Sequence, residues 1–225
     1  MELRQIVKKL FEKRAVVTAA LLLGAQVLVY IAAKPVVALL PKVDFNLPID
    51  ARIPYMPAFF VPYLLCFAYW ACMYLYIAGL GARRRSELTA AALCSSAVIG
   101  ALFLLFPTEI ERPAEPGGGF FGALAALAYG ADTPYNLFPS FHCFASWLCF
   151  IGVRGAKEVK PWLKIAAFLA AILTFASTML VKQHYFVDFI PSVFIAELFW
   201  LLARKTRLYL PFERFLERIF SLLGC

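Results

Sequence analysis

The 225-residue chain contains only two histidines, His142 and His184, and each stands among polar residues in an otherwise apolar sequence. His142 closes the run Pro139-Ser140-Phe141-His142, and His184 lies within Lys182-Gln183-His184-Tyr185-Phe186-Val187-Asp188. Residues four apart share one face of a helix, so Asp188 falls beside His184. A carboxylate there holds the imidazole in one tautomer and raises its nucleophilicity, as the aspartate of a catalytic triad does. Arg112, Lys182 and the Ser140 hydroxyl are donors suited to phosphate oxygens. A nucleophilic histidine among such donors points to phosphoryl transfer through a phosphohistidine, with fixed positive charge stabilising the transferring group. Two histidines and a carboxylate are also a ligand set for iron or zinc. Arg112 and Lys182 would repel such an ion and the sequence holds no further ligand-rich cluster, so the metal-free reading is preferred and no cofactor is implied.

The elements that must position these residues are membrane helices. The chain is 63% hydrophobic and 16% charged, with a mean hydropathy of +0.77, whereas soluble domains are roughly half apolar and a quarter charged. The 22 Phe, 10 Tyr and 4 Trp exclude a disordered polymer. Apolar runs near the length that crosses a bilayer occupy residues 15–33, 57–80, 88–106, 162–181 and 189–203. A sixth, 138–153, is shorter and begins with polar residues, which puts its start at a water-accessible rim. The expected fold is therefore all-α, a polytopic membrane protein of six transmembrane helices. It forms one integral-membrane domain over 1–225, with an interfacial helix at 1–14, a six-helix bundle at 15–203 and an interfacial tail at 204–225. Leu3, Ile6, Val7, Leu10 and Phe11 form the first apolar stripe, and Phe212, Phe215, Leu216, Ile219, Phe220 and Leu223 the second. The first span exceeds a usual signal core and is read as an anchor. Cys66, Cys72, Cys94, Cys143 and Cys149 lie inside apolar runs and read as small hydrophobes.

A net charge of +8 could imply nucleic acid, yet the basic residues cluster between apolar runs, so membrane lipids and not nucleic acid are the expected partners. The N-terminus, the Arg83-Arg84-Arg85 loop, the 154–164 loop and the C-terminal tail carry 5, 3, 4 and 5 of the Lys and Arg residues. The alternate loops hold Lys34, Lys42, Arg52, Arg112 and Lys182. Under the positive-inside rule this places both termini in the cytoplasm, a parity that six spans satisfy, and both histidines at the extracytoplasmic face. The long 107–137 connection carries Gly117-Gly118-Gly119, read as a hinge before a re-entrant or interfacial helix.

Three motifs now resemble a known family. The type 2 phosphatidic acid phosphatase superfamily, that of the lipid phosphate phosphatases, is marked by K-x6-R-P, P-S-G-H and S-R-x5-H-x3-D. Here stand Arg112-Pro113, then Pro139-Ser140-Phe141-His142, then Ser177 followed by His184 and Asp188 at the same intervals. Leu105, Phe141 and Thr178 occupy the family's Lys, Gly and Arg positions. The forms F-P-S-x-H and H-Y-x-x-D, with Ile53-Pro54-Tyr55-Met56-Pro57, look more like the branch of inositol phosphorylceramide synthases and, further off, sphingomyelin synthases. The resemblance implies that His184 attacks phosphorus, Asp188 orients it and His142 protonates the leaving group. Arg112, Ser140 and Lys182, the last in place of a missing cation, would bind the phosphate oxygens of an amphiphilic lipid phosphate.

That resemblance implies a lipid phosphate or diphosphate phosphatase, with a headgroup transferase using the same residues as the alternative. A non-enzymatic lipid transporter is a third class, but repeat symmetry or intramembrane charge pairs would be expected of it. Glu197, within the last span, is read as a helix-packing contact to Thr174, Ser177 or Thr178, and Asp132 and Asn136 as residues that fix the preceding loop. The orientation is testable in a background without native thiols. Glu115→Cys is expected to react with an impermeant reagent on intact cells and Arg84→Cys to be protected; the reverse would put the histidines in the cytoplasm.

Overall fold

Helix boundaries follow local chemistry at nearly every element. The computed structural model describes residues 12–225, within which all regular structure is helical apart from two isolated β-bridges. The first apolar run becomes α1 (Lys13–Leu39), 27 residues that continue through Pro35. At 1.5 Å per residue it is about 40 Å long, more than the hydrocarbon thickness, so it carries Lys34 beyond the apolar stretch. The next run starts with Pro57 in a 3-10 turn and becomes α2 (Phe60–Ala78). Gly81, at φ +133°, makes the reversal into α3 (Ala82–Leu105), a conformation open to glycine and strained for other residues. The Arg83-Arg84-Arg85 triplet therefore lies in the first turn of α3 and not in a loop, where Arg83 pairs with Glu87 at 2.7 Å.

The glycine triplet forms the turn into the next helix. Gly117 and Gly119 take positive φ, and α4 (Gly119–Ala131) starts directly from them. Ala125 and Ala128 of α4 pack against Phe60, Tyr63 and Val181, which brings this helix over the histidine-bearing end of the bundle. Then follow α5 (Phe141–Arg154), α6 (Pro161–Leu180), α7 (Phe189–Lys205) and α8 (Tyr209–Leu222).

Among the described residues, five helical segments are long and apolar enough to cross a membrane: Lys13–Leu39, Pro57–Ala78, Ala82–Leu105, Pro161–Leu180 and Phe186–Lys205. The expected sixth, α5, has 14 residues and is shorter than these. Its position explains the length. It is packed against α2, α3, α6 and α7, and 11 of its residues are buried, so it meets neighbouring helices on most of its faces. Its N-terminus consequently starts inside the bundle, below the loops.

The two ends of the bundle differ chemically. At one end Arg85 reaches Glu12 at 2.9 Å and Arg14 reaches Glu217 at 3.2 Å, joining the start of α1, the start of α3 and α8. The other end holds both histidines, Lys34, Arg112 and Lys182. Of the two expected amphipathic ends, the N-terminal stripe lies outside the described residues. In and just after α8 the stripe divides: Leu216 and Phe220 are buried, while Phe215 and Leu223 are exposed. Phe220 is covered by the guanidinium groups of Arg14 and Arg85 at 5.0 and 5.4 Å, so α8 is docked on the bundle as well as amphipathic. All six cysteines are free; Cys66, Cys143 and Cys149 are buried, and Cys72 is exposed.

Glu197 is a packing residue, but its partners differ from those expected. Thr174, Ser177 and Thr178 bond back to carbonyls of their own helix, an arrangement that removes them as partners. Glu197 instead accepts from Trp147 Nε1 at 3.0 Å and from both terminal nitrogens of Arg154 at 2.7 and 2.8 Å, clamping α7 to α5. Exposure of the pair screens it, which limits the stabilisation to about 1 kcal/mol. Glu197→Gln is accordingly expected to lower the melting temperature in detergent by a few degrees, and an unchanged melting curve would dismiss the clamp.

Candidate active site

Two residue runs 42 positions apart converge at the N-terminus of α5. Ser140 caps that helix, its Oγ accepting the Cys143 N–H at 3.3 Å, a bond that satisfies one of the free donors of a first turn. Capping sets His142 in the first turn, and the ring is enclosed by Tyr63, Phe67 and Trp70 at centroid distances of 4.9, 5.7 and 5.5 Å. These three share one face of α2 at helical spacing. The Ser140 hydroxyl is wholly buried. The Ser140 N–H donates to the Asp188 carbonyl at 3.2 Å, and Ser192 Oγ donates to the carbonyls of both Ser140 and Asp188. The two motifs are thus bonded to each other through backbone.

The second run turns sharply after α6. The Thr178 carbonyl accepts from both Gln183 N and His184 N, at 2.9 and 3.2 Å, while Lys182 takes φ +50°. A threonine at the family's arginine position therefore supplies a carbonyl that folds this turn, and its side chain faces back into α6. A short 3-10 turn, Phe186–Asp188, follows. The Asp188 carboxylate is completely buried; its Oδ2 accepts from Tyr185 N at 2.9 Å and pairs with His184 Nδ1 at 3.0 Å. His184 Nε2 then meets His142 Nδ1 at 3.2 Å. With Asp188 ionised and both rings neutral, one proton order fits this chain: His184 Nδ1–H donates to Asp188, and His142 Nδ1–H donates to the lone pair on His184 Nε2. His142 Nε2 and Asp188 Oδ1 are left without partners in the protein.

The three expected phosphate donors fall near this chain, Ser140 Oγ as an acceptor and the two cations with most of their donors turned to other protein groups. Ser140 Oγ caps α5. Lys182 Nζ donates to the carbonyls of Ile53 and Asp50, at 2.6 and 3.2 Å. Arg112 gives its terminal nitrogens to the carbonyls of Tyr129, Asp132 and Thr133 and to Gln183 Oε1, the last at 2.7 Å, and its Nε alone lacks a partner. Lys182 and Arg112 nevertheless line the same cavity as His184. This polar vestibule of about 790 Å³ is also walled by Lys42, Asp44, Asp50, Glu109 and Glu111. Burial, and then the carboxylates of Asp44, Asp188, Asp50 and Glu111, push the Tyr185 hydroxyl up to about 12.

His142 opens on the opposite environment. A groove of about 310 Å³ runs beside it between α1, α2 and α5, lined by Leu23, Val27, Phe67, Trp70, Phe141 and Ala145. Phe141, at the family's glycine position, forms part of this wall and stacks edgewise on Tyr30, Phe103 and Phe144. The paired imidazoles thus separate a polar vestibule from an apolar groove.

Sequence reasoning passed over two residues that build the site. Asp50 accepts from Phe186 N at 2.7 Å and Leu47 N at 2.8 Å, pinning the loop before α2 to the His184 turn; Met56 N donates to the Leu180 carbonyl alongside. Its signal was a lone carboxylate just ahead of Ile53-Pro54-Tyr55-Met56-Pro57. Gln183 was legible only as a polar neighbour of His184. Asp132, expected to order its own loop, reaches further: it accepts from Tyr30 Oη at 2.8 and 2.9 Å and pairs with Lys34 at 2.6 Å, tying that loop to α1. Asn136 adds a bond from Nδ2 to the Tyr30 carbonyl. Among the described residues, no three His, Cys, Asp or Glu side chains are grouped as a metal site.

No curated protein and no solved structure gives a significant match to the chain. A family model described as the PAP2 superfamily, whose members are typically phosphatases acting on lipid phosphates, matches residues 56–202. That match spans well over half of the chain and takes in both histidines, Asp188 and the helices that hold them, and the chain belongs to the PAP2 superfamily.

Proposed function

We propose that the protein is a membrane lipid phosphatase that hydrolyses a lipid phosphate at the extracytoplasmic face through a phosphohistidine, without a metal. The observation that carries this reading is the Asp188–His184–His142 chain, with contacts of 3.0 and 3.2 Å. Asp188 fixes the His184 proton on Nδ1 and stabilises the charge that develops on the ring, leaving Nε2 as the nucleophile. His184 Nε2 attacks phosphorus as the bond to the lipid oxygen breaks. His142, converted to the imidazolium by the proton that the phosphate monoanion brings in, passes the Nδ1 proton to that oxygen, so the lipid alcohol departs and a neutral ring remains. Water then attacks the phosphohistidine, gives its proton to His142, and the P–N bond breaks to release phosphate. Because phosphorus must reach His184 Nε2, substrate entry parts the two imidazoles. The cavities set the direction of cleavage: the phosphate lies in the polar vestibule, where Arg112 and Lys182 supply positive charge and Ser140 holds the start of α5, while the tail lies in the groove beside His142.

One observation favours the second reading, a phospholipid headgroup transferase like the inositol phosphorylceramide or sphingomyelin synthases. The vestibule of about 790 Å³, with acidic as well as basic walls, has room for a polar headgroup beyond the phosphate. The same three residues would serve, an acceptor alcohol replacing water. Hydrolysis is preferred because the vestibule is open, and excluding water from a phosphohistidine requires a closed, dry pocket.

Purified protein, with a chelator present throughout, is offered labelled lipid phosphates and phospholipids with and without diacylglycerol, ceramide or inositol. Phosphate release independent of acceptor is expected; a labelled lipid formed only with acceptor would establish the transferase. His184→Ala and His142→Ala are expected to remove turnover, and Asp188→Asn to reduce it by about 10⁴-fold, the cost of a wrongly held imidazole in a triad. Near-full activity in either histidine variant, or a requirement for one added metal, would defeat the mechanism.

A further inference from the structure

A phosphatase of this kind needs a hydrogen-bond donor aimed at the phosphoryl oxygens beside His184. Lys182 and the terminal nitrogens of Arg112 donate to carbonyls and to Gln183, and Ser140 Oγ is held as the acceptor that caps α5. Two buried donors here lack a partner, Arg112 Nε and the Gln183 amide nitrogen, and of these two residues Gln183 lines the cavity between the histidines. Its Oε1 accepts from Arg112 Nη2 at 2.7 Å, and since a guanidinium can only donate, this bond fixes which end of the amide faces Arg112. The amide nitrogen must then point the other way. It is buried and has no partner in the protein, within a residue only 5% exposed. The small cavity it lines is walled by both His142 and His184, with Tyr30, Asp132 and Asn136. A buried N–H₂ group without an acceptor is costly to keep, unless an acceptor arrives with the substrate.

We propose that Gln183 Nε2 donates to an oxygen of the phosphoryl group during its transfer to and from His184, and that Arg112 acts through Gln183 as a positioning residue. This rests on the phosphohistidine reading above. The family's missing cations at Leu105 and Thr178 are then replaced by a neutral amide that a cation holds and polarises. Arg112 suits that task because its fork also bonds the carbonyls of Tyr129, Asp132 and Thr133, which fixes its plane. The gain lies in the reacting state: as phosphorus becomes five-coordinate, charge builds on its equatorial oxygens, and a preorganised donor in a buried site is strongest there. The resting space is about 10 Å³, room for about one water, so the phosphoryl oxygens enter as the imidazole pair opens.

The test compares Gln183→Leu and Gln183→Glu with His184→Ala on a lipid phosphate substrate. Leucine keeps the volume and removes the donor. Glutamate keeps the Arg112 contact and also removes the donor. Both are expected to lower kcat by about 10²-fold or more, the effect of deleting one oxyanion donor, with KM changed by less than about threefold, as for an interaction made mainly in the transition state. Inhibition by orthovanadate, which takes the five-coordinate geometry, should weaken in parallel. Arg112→Lys should lower kcat in the parent protein yet add little in the Gln183→Leu background, since residues acting through one contact are not additive. Full kcat and unchanged vanadate inhibition in both Gln183 variants, with His184→Ala inactive, would overturn the proposal alone. A loss of rate that only follows a loss of folded protein in both variants would overturn it too. An active His184→Ala would remove the phosphohistidine reading and this proposal with it.

Discussion

A carboxylate with no exposure to solvent organises this end of the molecule. Burying an ionised Asp is expensive unless nearby donors replace its water, and Asp188 meets that demand with Oδ2 alone, through the Tyr185 N–H and the His184 ring. Both donors belong to its own turn, so the turn must close tightly. The Thr178 carbonyl, accepting two consecutive N–H groups, and the Asp50 carboxylate, accepting from Phe186, close it from either side. The backbone of Asp188 in turn accepts from Ser140 and Ser192, which brings the start of α5 and its histidine into line. The imidazole pair is the result of satisfying one buried charge.

The helices supply what that network cannot, two solvents on either side of one contact. α5 is short and enclosed, so its first turn lies where loop and bilayer-facing surfaces meet. His184 faces a vestibule rich in charge, and His142 faces a groove lined by Leu, Val and aromatic side chains. On the proposed reading, an amphiphile laid across the pair would have its phosphate and its tail in matching surroundings before any specific bond forms. Binding of this kind orients the scissile bond, which is where proximity contributes to rate.

How much of this was legible beforehand divides along sequence distance. His184 and Asp188 are four residues apart and were expected to pair on one helix face; they do pair, but across a turn and a short 3-10 segment ahead of α7. The membrane class, the apolar runs and the glycine turn at 117–119 were equally plain, because each is a local pattern. The directions of Arg112, Lys182 and Ser140 were not, although their types were suggestive. Where a long cationic side chain points depends on acceptors from remote segments: Lys182 turns toward carbonyls at 50 and 53, and Arg112 toward those at 129, 132 and 133. Glu197 shows the same limit, since its partners Trp147 and Arg154 lie on another helix. Hydrophobicity marked α5 as shorter than the rest without showing that it is the central helix.

The central claim is that His184 carries the phosphoryl group. Brief incubation with a lipid phosphate labelled on phosphorus, alkaline denaturation and peptide mass spectrometry would locate the label directly. The account predicts acid-labile, alkali-stable phosphate on the peptide bearing His184, with more of it in His142→Ala if the first step proceeds there and release does not. Label on His142 alone, on a serine, or on no residue during active turnover would contradict it.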